Sequence, residues 1–261
     1  EKREQFGEKI RAMPAVYDML VDMRVNIEAA RALLYDTTLY VEISKTLNKN
    51  MELSGSKDSD LKAEVKYNTQ KADLLTPLVK FYATEMVNDV CNKAIQILGG
   101  SGYMRDYPVE RYYRDARITN IYEGTTQLQV VAAFPRIMKG ELDDLFDAFL
   151  KEKADGLVGE SIEKVKACIP QLRACIETVK AVDSREYSNF YARAIVDICA
   201  DIYLSMLLLK DAKVCARKEK VARMFISKAL PRIAMHVQFV QSKDMTAIEH
   251  YQEVIGEATV D

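Results

Sequence analysis

The chain has 261 residues, 49% of them hydrophobic and 29% charged, which is enough apolar material for a core in one large domain or two smaller ones. Its 37 basic and 39 acidic side chains leave a formal net charge of −2, so there is no basic field to hold a polyanion, which argues against a nucleic-acid partner. Five cysteines without a C-x-x-C pair, no visible signal peptide and no uncharged run of membrane-spanning length point to free, buried thiols in a cytoplasmic protein.

The chain opens on "EKREQFGEKI", charged and periodic from Glu1 with no initiator Met, and reads as a segment of something longer. Only 10 Gly and 6 Pro, among long stretches of Ala, Leu, Glu, Lys, Met and Arg, predict helix nearly throughout, with no convincing alternating strand. Val16, Met19, Leu20, Met23, Ile27, Ala30, Leu34 and Val41 recur at helical spacing and predict an amphipathic helix from Pro14 to about Leu47. The polar stretch "NKNMELSGSKDSD" predicts a loop or frayed junction. A second long helix is expected from Leu61 to Leu98, kinked at Pro77 and stopped by Gly99 and Gly100. Pro108 suits the first position of a short helix over "VERYYRDARI", and another helix is expected from near Gly124 to about Met138. Helices joined by short polar turns predict an antiparallel four-helix bundle.

From Glu141 the pattern changes. "ELDDLFDAFLKEKADGLVGE" predicts a linker helix broken at Gly156 or Gly159, followed by helices over about 161–182, 186–216 and 218–243 and a weakly patterned tail. "IYLSMLLL" at 202–209, bounded by Asp201 and Lys210, fits a buried helix. Cys168 and Cys175 on one helix would stand about 10 Å apart, too far for a disulfide. The expected fold class is therefore all-α: a bundle over 1–140 followed by an additional helical domain over 141–261.

Metal chemistry has little to stand on. His236 and His250 are the only histidines, neither has a Glu three residues before it, and no Cys or His cluster has zinc spacing. A Ser/His/Asp or Cys/His hydrolase lacks support for the same reason. "GGSG" at 99–102 lacks the third glycine and the strand of a dinucleotide fingerprint, so it reads as a helix cap whose exposed N–H groups can still meet a phosphate. Arg111, Arg114 and Arg117 share one helical face, which Glu110 and Asp115 can pair as a solvated surface. Glu123 lies between the apolar or aromatic Ile121 and Tyr122 and the small Gly124. Two roles stand for it on residues alone: a helix N-terminal acid favoured by the macrodipole, and a desolvated base for a carbon-bound proton.

The segment "QILGGSGYMRDYPVERYYRDARITNIYEGTTQ" at 96–127 resembles the C-terminal signature of the acyl-CoA dehydrogenase family, and "REQFGEKI" at 3–10 resembles the segment that opens the same domain. The resemblance covers about residues 1–138. It implies the C-terminal helical bundle of an FAD-dependent enzyme that desaturates acyl-CoA thioesters, with Glu123 as the base that takes the α proton while the β hydrogen leaves as hydride to the flavin. In the family the base residue's own backbone N–H helps hold the thioester oxygen. Gly124 and Tyr122 fall at substrate-contacting positions, and Thr125 and Gln127 at positions that contact FAD. Arg3, Gln5, Phe6, Gln96, Gly99 and Gly100 match segments that reach the FAD of a neighbouring subunit, which implies a homodimer or homotetramer. The implied partners are an acyl-CoA and an electron-transfer flavoprotein.

Pro135, where many members carry an arginine, predicts a local disturbance of its helix. Residues 141–261 look like the extra helical domain of larger members, and no basic amphipathic stripe supports membrane association. An acyl-CoA oxidase would use the same base and flavin and would be told apart by rapid reoxidation in air. A catalytically inactive binding relative is a further alternative, against which the intact "YEGT" weighs. The segment by itself is expected to be colourless and inactive.

Overall fold

A computed structural model describes residues 3–153 and 155–256. The outermost residues of the two expected divisions, 1–2 and 257–261, lie outside the described part. Helix dominates as expected, with one small exception at the start. Glu4–Gln5 (β1) and Glu8–Lys9 (β2) pair antiparallel around Phe6 and Gly7, whose φ values of 53° and 79° give the turn that a tight hairpin needs.

Helix α1 spans Pro14–Ser54 and starts with proline in its first turn, where a missing N–H costs nothing. It runs past the expected end at Leu47, because "NKNMELS" stays helical until Gly55 closes it in the left-handed conformation. The loop shrinks to a few residues before α2, Ser59–Leu98, whose N-cap Asp58 accepts from the Asp60 N–H at 2.9 Å. α2 stays helical through Pro77 and ends at Gly99. The two helices lie antiparallel, as their cross-links show: Ser44 with Thr69, Asn26 with Tyr82, and Asp22 with Lys93.

A single turn, α3 (Gly100–Tyr103), leads to α4 (Val109–Thr119) and α5 (Thr126–Met138). The disturbance expected at Pro135 does not interrupt α5, which continues three residues beyond it.

In the second half the linker helix α6 (Asp143–Leu150) stands alone, and α7 (Gly156–Lys166) begins at Gly156 with Gly159 buried inside it. The helix expected over 161–182 is two helices, α7 and α8 (Cys168–Lys180). Pro170 has no N–H to give the Lys166 carbonyl, which interrupts the ladder there. α9 (Arg185–Ala212) and α10 (Ala216–Ser242) follow close to expectation, and the weakly patterned tail forms α11 (Thr246–Ile255).

One apolar cluster runs through both halves, from Val25, Leu33, Leu74 and Leu78 to Ile195, Leu204, Phe225 and Ile233. α9 is its axis. The "IYLSMLLL" stretch is buried on nearly every side, as befits a helix that is apolar all round. All five thiols are free, but Cys215 is exposed and Cys91 only half-buried, so the expectation of buried thiols holds for Cys168, Cys175 and Cys199 alone. Among the described residues no helix is long and apolar enough to cross a membrane.

Ion pairs also tie the halves. Glu28 on α1 is buried at 4% side-chain exposure and takes Arg217 in a two-pronged contact (2.7 and 3.0 Å), with Lys218 at 2.9 Å and Arg24 at 2.7 Å. These cations, Arg217 above all, outweigh burial and hold its carboxyl well below the ordinary range. Glu28→Gln is expected to cost about 2 kcal/mol at neutral pH, because three cations then converge without an anion. A depressed carboxylate stabilises the fold above its unfolded pKa and loses that contribution as pH falls. Thermal melts should therefore show the gap between variant and parent narrowing as the buffer is taken below about pH 4.5.

Candidate active site

The loop between α4 and α5 carries Glu123, and two residues of α2 hold it. Lys80 donates its ammonium protons to the carbonyls of Tyr122, Gly124 (3.0 Å) and Thr119 (3.4 Å) and lies 4.7 Å from the Tyr122 ring centre. A trans peptide points its C=O and N–H in opposite directions, so turning the Tyr122 carbonyl toward Lys80 turns the Glu123 N–H away from the bundle. No backbone or side-chain acceptor among the described residues takes that N–H. Glu85, five residues on, accepts from Thr126 Oγ1 at 2.7 Å and Asn120 Nδ2 at 3.1 Å, clamping the loop's two ends together. The Thr126 N–H adds a bond to the Asn120 carbonyl at 3.1 Å.

Glu123 sits at φ 51°, a left-handed conformation that few non-glycine residues adopt, and its carbonyl accepts from Gln129 Nε2 at 3.3 Å. Gly124 follows at φ 95°, a conformation that favours glycine; a Cβ there would meet only the flexible end of Gln129, Nε2, at 2.9 Å. Thr125 caps α5 by accepting the Leu128 N–H at 3.4 Å, and Gln127 is exposed in the first turn. The apolar neighbours do not desolvate the acid as the sequence argument expects: Ile121 and Tyr122 are 44% and 49% exposed, and Glu123 is exposed with them. Consecutive loop residues point outward together when the backbone turns this tightly. Arg111, Arg114 and Arg117 are likewise exposed, as a solvated face predicts, with Arg117 donating to the Asn120 side chain.

The other predicted residues meet at the far end of α2. Arg3 donates to the Leu98 carbonyl at 2.5 Å, and its guanidinium lies 3.5 Å from where a Gly99 Cβ would stand. Gly99, at φ 59° and ψ −143°, thereby lets the hairpin and the glycine turn touch. Phe6 projects from the hairpin at 93% exposure, with Gln5, Gln96 and Gly100 exposed around it. A cavity of about 570 Å³ opens beside them, lined by Arg3, Arg11, Ile97, Ser101 and Tyr107 among others. Lys80 and Leu98 are eighteen residues apart, about 27 Å along the helix axis. The predicted residues thus fall into two groups, one around Glu123 and one around Gly99.

Lys80 and Glu85 escape a reading of the sequence. Each is an ordinary polar residue of an amphipathic helix, and its partners lie some 35 to 44 positions further on. Among the described residues no group of three or more His, Cys, Asp or Glu is arranged to hold a metal ion.

The family model for the acyl-CoA dehydrogenase C-terminal domain matches residues 61–134, and that for the acyl-CoA dehydrogenase C terminal matches residues 149–248. The chain belongs to the acyl-CoA dehydrogenase family. CarC, a subunit of the caffeyl-CoA reductase-Etf complex of Acetobacterium woodii, is 34% identical over 139 residues, which is 53% of this chain and 30% of CarC. Among solved structures, an acyl-CoA dehydrogenase complexed with FAD from Bacillus anthracis superposes with a TM-score of 0.72 at 19% identity, covering 100% of this chain and 48% of the other. Caenorhabditis elegans ACDH-11 in complex with C11-CoA also gives 0.72, at 21% identity, covering 100% and 43%. The fold of those proteins therefore extends over both halves of the chain, and the chain spans less than half the length of each.

At one end of α2, Arg3 brings its guanidinium to the Gly99 cradle, a donor set suited to phosphate, and in the other group Thr125 caps the start of α5 with its hydroxyl.

Proposed function

We propose that the chain is the C-terminal catalytic part of an FAD-dependent acyl-CoA dehydrogenase, with Glu123 as the base. The observation that carries the reading is the Lys80-held loop. It leaves the Glu123 N–H without an internal partner, in a residue that is itself exposed. A thioester carbonyl accepting that N–H gains negative charge as its α proton leaves, and a fixed donor stabilises the enolate without reorganising. The proton passes to the Glu123 carboxylate. Bound FAD supplies the acceptor for the β hydrogen and its electron pair.

Tyr122 and Gly124 flank the base and would contact the acyl-CoA, and Thr125 and Gln127 would contact the flavin. Arg3, Gln5, Phe6, Gln96, Gly99 and Gly100 would serve a flavin bound by a second subunit, since about 27 Å of helix separates them from Glu123. This reading makes the protein a homodimer or homotetramer. The water exclusion that a carboxylate base needs would come from other parts of the assembled enzyme. CarC's place in an Etf complex favours an electron-transfer flavoprotein as electron acceptor, and the C11-CoA complex of ACDH-11 favours an acyl-CoA substrate.

The test is anaerobic bleaching of the flavin in the intact protein with acyl-CoAs of graded length. Bleaching by one or more of them is expected, and the fastest identifies the substrate class. A flavin that no acyl-CoA bleaches, or a protein that carries none, would overturn the reading.

A further inference from the structure

The loop that carries Glu123 is reached from the second half of the chain as well as from α2. Glu85 uses one carboxylate oxygen, Oε1, for Asn120 and Thr126 and turns the other, Oε2, toward Arg193 of α9, with Nη2 at 3.8 Å. Arg193 arrives already oriented. Its guanidinium lies 4.7 Å from the Phe81 ring centre, and its Nε donates to Asp197 at 2.8 Å. Behind it, Asp197 faces His236 of α10 at 3.7 Å. Glu85, Arg193, Asp197 and His236 line one polar cleft of about 630 Å³ between α1, α2, α9 and α10.

We propose that Glu85 and Arg193 are positioning residues through which the C-terminal helices set the Glu123 loop. This rests on Glu123 being the base. With both oxygens engaged, the Glu85 carboxylate has one orientation that serves Asn120 and Thr126 together. Losing Arg193 frees the carboxylate to rotate. A displacement of about 1 Å at the reacting atoms costs about a hundredfold in rate, so partial loosening is expected to slow proton removal about tenfold. Glu85 and Arg193 are 38% and 44% exposed, and an ion pair this solvated adds little to stability. Function should therefore respond where the melting temperature does not.

The experiment compares intact protein with Arg193→Met, Glu85→Gln and the double variant by two readouts. One is the single-turnover bleaching rate at saturating acyl-CoA beside the acyl-CoA Kd. The other is hydrogen exchange in the peptide spanning 119–127, which needs no turnover. Glu85→Gln keeps an acceptor for Asn120 and Thr126 and loses the charge facing Arg193. The expected result is that each single variant bleaches about tenfold more slowly with unchanged Kd and melting temperature, exchanges faster across 119–127, and that the double variant is no worse than either.

Multiplied losses in the double variant, or unchanged rate and exchange in Arg193→Met, would overturn the coupling. If the wild type is not bleached at all, the reading of Glu123 as base has failed. The exchange comparison then still decides whether Arg193 holds the loop.

Discussion

Glu123→Gln is expected to leave FAD bound and to slow acyl-CoA-driven bleaching by about a thousandfold, within the range that positioned acid–base groups contribute. The amide keeps the size of the carboxylate and cannot serve as the base. Its φ of 51° is tolerated by Asn-like and Gln-like side chains no worse than by Glu, and the contacts that shape the loop come from elsewhere. Lys80 holds the carbonyls of Tyr122 and Gly124, and Glu85 holds Asn120 and Thr126. The loop should therefore survive the change and the thioester should still bind. Stopped-flow absorbance of the flavin under nitrogen, with the acyl-CoA Kd from the amplitude, separates the two effects. Bleaching at the parent rate would remove Glu123 from the chemistry.

Arg232→Met is expected to be the most destabilising of the substitutions considered, by about 3 kcal/mol, because it strands Asp201 in the core. Asp201 is 6% exposed, and its two oxygens accept from Arg232 Nε at 3.0 Å and Nη2 at 2.6 Å. Burial outweighs even this pairing and holds the Asp201 carboxyl above its ordinary value, with Asp197 adding to the rise and His236 and Arg232 opposing it. The Arg232 side chain is 40% exposed, which keeps the loss toward the lower end of what a broken buried pair costs.

The pH dependence follows from the sign of that shift. An acid whose folded pKa is raised destabilises the fold increasingly as pH climbs from its unfolded pKa through its folded one. Without Arg232 the carboxyl rises further. The deficit of Arg232→Met should be larger at pH 8 than at pH 5 in denaturant melts. A deficit independent of pH would mean that the variant loses only packing against Phe225. Adding Asp201→Asn should recover much of the loss, since neither charge then remains buried.

The sequence carries the helical fold in signals that act over a few residues. Pro14 in the first turn of α1, Asp58 before α2, Gly99 after it and Thr125 before α5 each satisfy or stop local backbone groups. Helix bounds near them were legible. The apolar run at 202–209 could be assigned to the interior on the same footing, because apart from Tyr203 and Ser205 it is continuously apolar. Where expectation failed locally, the competing signal was also local. "NKNMELS" has loop-like composition, yet helix propagates through it until a left-handed glycine stops it, and Pro170 divides a run whose apolar period is unbroken. The turn around Glu123 stands out in the chain as well, by residue type and spacing.

By itself, then, the sequence determined an all-α chain of the acyl-CoA dehydrogenase C-terminal kind and singled out its acid. Tertiary structure alone decided how that acid is held. Lys80 and Glu85 lie about 40 residues from the loop, and Arg193 more than 100 from Glu85. No periodicity relates such positions, because their contact is created by helices packing on one shared core. The same packing sets what is covered and what is open. It leaves Glu123 exposed despite apolar neighbours, and it buries Asp201 and Glu28 despite their charge, because exposure follows from which helices close over a residue rather than from the residues beside it in the chain.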